Sequence, residues 1–243
     1  MAKDFNATTS KIVTSYASHA TLRTYSVWFK KDGTGEGGLG RVFDKRVAGA
    51  QVELLFCDNV TTTNLKYARN LSGGERSWRW DIGTADALHH MVLQYDAGNP
   101  ETAPIVYVDG SSQSLTLENS GTGTANTNAD AYVIGNRGSQ ERTWDGMICE
   151  FAIWDRTLSA AEIGILADGF SPLFIPSSLS LYTPLIREPI DLRGTGALTE
   201  TDMAVLAHPR IIYPGSYQRY PKVAAAPSTS LKDMMGGFIP FAR

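Results

Sequence analysis

Cysteine is almost missing from this chain. Cys57 and Cys149 are the only two among 243 residues, too few for a disulfide framework, so both are expected as buried, reduced thiols on strands. No apolar run reaches the roughly 18 residues that a membrane-spanning helix needs. The opening residues, Met1-Ala2-Lys3-Asp4-Phe5-Asn6, hold no apolar segment of the kind a secretion signal carries, and synthesis in a reducing cytoplasm is the expectation. A basic surplus is absent as well: 22 Lys and Arg stand against 25 Asp and Glu, a formal charge of −3. That balance speaks against a general nucleic-acid footprint. Neither nucleic acid nor membrane is therefore expected as a partner. Glycine and proline are plentiful, at 23 and 11 residues, the punctuation of many short strands and tight turns. The length accommodates one all-β sandwich of roughly 200 residues.

The pattern along the chain agrees. Residues 5–15, rich in Thr and β-branched side chains, predict one edge strand. Residues 22–30 alternate with apolar side chains on both parities, which predicts burial on both faces. A glycine-rich turn at 33–40 leads into a hairpin of 41–45 and 52–57, followed by strands at 64–70 and 77–82. Residues 89–95 and 105–108 read as interior strands, and the two prolines of the loop between them forbid a continuing ladder. Residues 119–130 read as an exposed loop and 131–135 as a strand. Residues 147–153 alternate as a further strand, and Ser159 followed by Glu162 three residues later is a capping box that opens a short helix to about residue 167. Late strands are expected at 180–184 and 204–213, flanking a loop at 187–201. From residue 215 the composition changes to that of an extended arm, ending in Gly237-Phe238-Ile239-Pro240-Phe241-Ala242-Arg243.

Five landmarks stand in a particular order: Ser26-Val27-Trp28-Phe29, then Leu88-His89-His90-Met91-Val92-Leu93-Gln94-Tyr95-Asp96, then Tyr107-Val108-Asp109-Gly110, then Ile134-Gly135, then Trp144-Asp145-Gly146 leading to Leu158-Ser159-Ala160-Ala161-Glu162-Ile163. In that order they resemble the laminin-G-like, concanavalin A-like jelly-roll family, with Leu88 where the family pattern has tryptophan. The resemblance implies an all-β fold, a two-sheet antiparallel jelly-roll sandwich with one short helix over residues 1–214, followed by the C-terminal arm at 215–243. It also implies a binding or structural module. Tyr182-Thr183-Pro184-Leu185, Asp191-Leu192-Arg193-Gly194 and His208-Pro209-Arg210-Ile211-Ile212 are similar to a closing segment of some phage-encoded and bacterial members.

Candidate sites are few. Hydrolases of the wider fold carry Glu-x-Asp-x-x-Glu on one strand, so that alternate carboxylates share a cleft. No such run is present, and Asp145, Glu150 and Asp155 are spaced by five, which sets neighbours on opposite faces. No catalytic residue is assigned. His89 and His90 are adjacent on a strand and cannot chelate one ion together; one is expected to turn inward onto a backbone carbonyl, the other to face solvent. His19 and His208 have no motif spacing. Residues 33–38 satisfy Gly-x-Gly-x-x-Gly, but a strand rather than a helix follows, so a hairpin loop is expected in place of a dinucleotide site. The resemblance implies calcium at the sandwich rim; Asp44, Asp58, Asp96 and Asp109 stand at strand ends, where aspartates also serve turns, and no ligand set is assignable. Trp78 and Trp80 share a strand face and are the candidate glycan-stacking platform, although such a pair also serves as core.

Two functions follow. The first is a non-enzymatic virion structural protein, a phage capsid decoration (cement) or head/tail accessory subunit, made in the host cytoplasm and built into the virion. Its partners would be the major capsid protein or other virion proteins, and further copies of this chain. Here the arm is the attachment device, anchored by Phe238, Ile239, Pro240, Phe241 and Arg243. The alternative is a lectin-like carbohydrate-binding module, calcium dependent or not, acting in receptor recognition.

Overall fold

A computed structural model describes residues 2–17, 20–47, 50–126, 131–194 and 197–215. His19 and the arm beyond Gly215, with Phe238, Ile239, Pro240, Phe241 and Arg243, lie outside the described residues. The strands run, in chain order, β1 (Ala2–Phe5), β2 (Lys11–Thr14), β3 (Leu22–Lys31), β4 (Arg41–Val47), β5 (Ala50–Cys57), β6 (Asn64–Leu71), β7 (Gly74–Asp81) and β8 (Leu88–Asp96). They continue with β9 (Ile105–Val108), β10 (Ser111–Ser112), β11 (Thr116–Ser120), β12 (Tyr132–Ile134), β13 (Gly146–Trp154), helix α1 (Ala160–Ala167), β14 (Leu179–Thr183), β15 (Leu198–Thr201) and β16 (Ala204–Leu206). All ladders among them are antiparallel. One sheet has the order β10-β9-β8-β3-β13-β1-β16, with β14 also on β13; the other has the order β11-β7-β6-β5-β4-β12-β2-β15.

The inner faces of the two sheets make the main core. Tyr25, Val27 and Phe29 of β3, Met91, Leu93 and Tyr95 of β8, and Ile148, Phe151 and Ile153 of β13 meet Phe43, Leu55, Tyr67, Trp78 and Trp80 of the opposite sheet. Both parities of β3 are buried over most of its length, as the sequence predicts. The outer side chains of the first sheet, among them Val92, Ala152 and Trp154, lie under α1 and the turns that follow it. The helix opens on its capping box: Ser159 Oγ accepts the Glu162 N–H, and the Glu162 carboxylate accepts the Ser159 N–H at 2.8 Å.

A carboxylate sits at the centre of the intersheet space. Glu53 is fully buried, and its oxygens accept from the hydroxyls of Tyr25 and Tyr67 at 2.6 Å each and from the guanidiniums of Arg23 at 2.9 Å and Arg69 at 2.6 Å. Tyr132 joins through hydrogen bonds of 2.9 Å to Arg23 and Tyr25. Burial alone would push the Glu53 carboxyl up; the two cations and the two hydroxyls outweigh it and bring it down to about 2. Its four partners come from β3 and β6, on opposite sheets.

The ends of the chain close the sandwich. The expected single strand at 5–15 is two strands in different sheets: a turn closed by Ser10 N–H to Ala7 O, 2.9 Å, carries the chain from β1 to β2. At the other end β15 covers the edge of β2, and β16 covers the edge of β1. Buried Lys3 of β1 pairs with Glu200 of β15 at 2.6 Å. The expected loop at 187–201 thus ends in a strand, and the expected strand at 204–213 stops at Leu206, just before Pro209, which has no N–H for a ladder. The expected loop at 119–130 likewise begins inside β11, which pairs with β7.

Beyond β16, residues 207–215 lie on the outer face of the first sheet, held by a second buried carboxylate. β13 carries one extra residue between Cys149 and Ala152 relative to β3, and Glu150 there adopts φ +53. The bulge keeps Ile148 and Phe151 inward while Glu150 turns outward. Its carboxylate accepts from Tyr182 at 2.5 Å and from Tyr213 at 2.6 Å. His208 Nε2 lies 3.1 Å away, out of line for a hydrogen bond.

Two measurements check these networks. Glu53→Gln leaves two buried guanidiniums without their counter-charge, and urea unfolding should lose about 3–5 kcal/mol of stability. Because the folded Glu53 carboxyl lies below its unfolded value, its contribution is present above about pH 4.5 and is lost as the pH falls towards about 2; the Gln variant should lack that component of the acid transition. Tyr213→Phe removes one donor to Glu150, and amide hydrogen exchange should rise at residues 207–213 with the main core unchanged.

Candidate functional site

Three segments converge at one rim of the sandwich: the β1–β2 turn, the β3–β4 turn and the stretch leading into β13. Buried Asn136 ties the first to the third. Its Nδ2 donates to Thr8 O and Ser10 O at 3.1 Å each and to Thr143 Oγ1 at 2.7 Å, and its Oδ1 accepts from the N–H groups of Arg137 and Arg142. The β3–β4 turn joins through Glu36 N–H to Thr143 O at 3.0 Å. Gly35, at φ +72, is required there, since a Cβ would stand 2.4 Å from Thr143 O and 2.5 Å from Gly40 Cα. Trp144 stands edge-on to Phe29, with ring centroids 5.8 Å apart, and donates from Nε1 to Lys30 O at 3.1 Å.

Between these segments lies an open cavity of about 270 Å³, with Asn6, Thr8, Glu36, Thr143, Trp144 and Asp145 in its lining. Its charged side chains, Glu36 and Asp145, are both acidic. Glu36 accepts the Thr143 N–H at 3.3 Å, and Asn6 donates to Asp4 at 2.9 Å. Burial, followed by the negative charges of Asp32 and Asp145, raises the Asp4 carboxyl above its ordinary value, with Lys30 acting in the opposite sense. The cavity can thus offer amide and carboxylate oxygens to a ligand rich in hydroxyl donors. A second hollow of about 260 Å³, at Gly98, Asn99, Pro100, Glu101, Thr102 and Gly123, has Glu101 as its one charged side chain, and that carboxylate accepts the Gly123 N–H at 2.9 Å.

Of the residues singled out from the sequence, Asp145 and the glycine-rich run at 33–38 reach this rim, whereas the tryptophan pair and the strand-end aspartates lie elsewhere. Trp78 and Trp80 do share a face, but it is the inner one, where they are 3% and 2% exposed. Trp78 stacks near Tyr67 and meets Tyr95 across the sandwich, so neither ring offers a sugar a free face. The four aspartates do not fit a calcium ion. Asp44 pairs with Arg46 and Arg41, Asp58 with Arg79, Asp96 caps its own turn at Gly98 and Asn99, and Asp109 takes His89 and the His90 N–H. Among the described residues no three His, Cys, Asp or Glu converge as a metal site.

His89 behaves as expected, bonding Thr84 O at 2.7 Å. His90 is buried as well as its neighbour, against Ser26 at 2.9 Å, and burial pulls it down to about 4. Asp145, Glu150 and Asp155 stay apart: the first lines the rim, the second holds the closing segment, and the third accepts from Tyr16 and Ser180. Residues 33–38 form a turn into β4, with no helix of α type behind them. Both cysteines are free and buried, and burial pushes the Cys57 thiol up to about 12. The rim cavity itself left two marks in the sequence, Gly35 within the glycine run and the Gly135-Asn136 turn; their meeting depends on the sheet order.

Comparison with known proteins agrees with this architecture. No curated protein matches the sequence. A candidate carbohydrate binding protein from Bacteroides ovatus is similar in structure at a TM-score of 0.61 and 17% identity, over 84% of this chain and 58% of that one. The receptor binding domain of botulinum neurotoxin D is similar at a TM-score of 0.50 and 16% identity, over 68% of this chain and 43% of that one. This chain therefore spans less than two thirds of either, and at such identities the likeness shows the fold alone. The sequence profile of the concanavalin A-like lectin/glucanases superfamily, of laminin-G type, matches residues 6–164. With the jelly-roll sheets, the capping-box helix and that match in register, the chain belongs to the concanavalin A-like lectin/glucanase superfamily.

Proposed function

We infer that this chain is a carbohydrate-binding module and that the rim cavity holds the glycan. The observation that carries the reading is the cavity itself: a volume of about 270 Å³ lined by Asn6, Glu36 and Asp145, residues that carry amide and carboxylate oxygens, on loops pinned by Asn136 and Gly35. Sugar hydroxyls donate to carboxylates and amides, and a site held rigid before binding loses less entropy when it is filled. Membership of a superfamily of lectins and glucanases and the likeness to a Bacteroides ovatus protein described as carbohydrate binding support the same reading. The reading is one of binding; the three carboxylates spaced by five, Asp145, Glu150 and Asp155, point to three different places.

The virion role expected from the sequence, with the major capsid protein as partner, draws on the arm and the closing segment. No observation among the described residues favours it over glycan binding.

The test is isothermal titration against a panel of neutral oligosaccharides, with Asn6→Ala and Asp145→Ala variants. Each variant should weaken binding about tenfold, the effect of one lost hydrogen bond to a ligand, with thermal stability unchanged. Absence of binding across the panel, or binding that both variants leave intact, would overturn the assignment.

A further inference from the structure

One arginine of the second sheet is buried without enough acceptors. Arg41 opens β4, and its side chain lies on the outer face, where the guanidinium carbon stands 4.3 Å over the ring centroid of Phe56. Phe56 packs there with Leu54 of β5, Ala68 of β6 and Leu39 of the β3–β4 turn. Arg41 is 6% exposed, and its Nε and Nη1 have no hydrogen-bond partner among the described residues. Nη2 is left as the nitrogen through which the side chain meets the surface. The nearest carboxylate is no remedy. Asp44 lies 3.4 Å from Arg41 Nε, out of line for a hydrogen bond, and Arg46 Nε holds it at 2.9 Å.

The charges around Arg41 are mostly of its own sign. The half-buried side chain of Arg142 runs against the β3–β4 turn at Gly37, φ +62, where a Cβ would stand 2.4 Å from Arg142 Nη1; glycine makes room for this second guanidinium. Arg142 has no carboxylate partner among the described residues, whereas Arg137 pairs with Glu141 at 2.8 Å and Arg79 with Asp58 at 3.3 Å. Lys66 Nζ adds a further cation 6.0 Å from the Phe56 ring. Burial, and behind it the positive charges of Arg46, Arg142 and Arg137, outweigh Asp44 and pull the Arg41 guanidinium down to about 10. A buried cation with idle donors is costly until an anion answers it.

We propose that Arg41 and Arg142, in the field of Arg46 and Arg137, form a binding site for a tetrahedral oxyanion, a sulfate or phosphate group, on the outer face of the second sheet beside the β3–β4 turn. Phe56 holds the Arg41 plane from one side, so its donors are oriented before the anion arrives. The oxyanion accepts from Arg41 Nη2, and Arg142 closes on it from the turn with further charge-assisted hydrogen bonds. A free sulfate or phosphate and the same group esterified to a sugar offer the same terminal oxygens. The proposal stands apart from the glycan reading, since the rim cavity and this site share no residue and a neutral sugar carries no such group.

Titration of the isotopically labelled full chain with sodium sulfate, against sodium chloride at the same ionic strength, tests it. Sulfate should give saturable shifts at the Arg41 Nε–H signal and at the amides of residues 37–41 and 142, with none of comparable size from chloride. Arg41→Lys keeps the charge and loses the planar fork; Arg142→Ala removes a half-buried side chain and keeps the fold should the first variant fail to. Each should weaken sulfate binding about tenfold, the effect of one lost charge-assisted hydrogen bond. Glucose 6-sulfate and glucose separate the sources: tighter binding of the ester than of sulfate, with no shifts at this site from glucose, supports a sugar-borne group, and equal binding of ester and sulfate supports the free anion. Shifts that never saturate or that chloride reproduces, or sulfate binding that the folded variants leave intact, would overturn the proposal.

Discussion

A single buried carboxylate constrains this sandwich more than any apolar contact does. Glu53 lies with no solvent exposure between two sheets whose facing side chains are otherwise largely aromatic and aliphatic. A charge in that position is tolerable only when every lone pair is used and the counter-charge is close. Arg23 and Tyr25 of β3 and Tyr67 and Arg69 of β6 meet both conditions together. The requirement fixes the registers of β3, β5 and β6 against one another, because a slip of one residue would turn Glu53 outward and leave two guanidiniums in the core. Two cations around one anion leave the cluster positive, and Arg23 Nη2 and Arg69 Nε have no hydrogen-bond partner among the described residues.

The rim cavity depends on that register indirectly. With β3 fixed, the β3–β4 turn arrives where Gly35 can pass close under Thr143, and Trp144 can cap the end of the core against Phe29. Asn136 then binds the β1–β2 turn to the stretch before β13. The cavity is therefore a consequence of how three connections meet above a packed core, the usual way in which a rigid sheet scaffold positions a binding surface. Glu150 does the corresponding work on the outer face, where a bulge turns one carboxylate towards Tyr182 of β14 and Tyr213 beyond β16 and so ties residues 207–215 to the first sheet.

Much of the fold was legible in the sequence because local patterns carried it. Alternation identified β3, β8, β9 and β13, and Ser159 with Glu162 identified the helix to the residue. Local pattern falls short where strand pairing decides. Residues 5–15 have strand composition throughout, and only the turn at Ala7 to Ser10 divides them between sheets. β15 is four residues of Leu, Thr and Glu with no apolar alternation, and it exists because β2 offers an edge. Alternation puts Trp78 and Trp80 on one face, but alternation alone does not say which face is inner; Tyr67 and Tyr95 decide that. The candidate site was largely illegible. Asn6, Glu36, Asn136 and Asp145 are scattered over 140 positions of ordinary turn chemistry, and no short-range rule joins them.

The central claim is that a glycan is held at the rim formed by the β1–β2 turn, the β3–β4 turn and the stretch before β13. The most direct measurement is an amide chemical-shift titration of the isotopically labelled protein with the tightest-binding neutral oligosaccharide. The account predicts shifts concentrated at residues 6–8, 35–36 and 143–145. Shifts centred on the hollow at residues 98–102, or on β6 and β7, would contradict it.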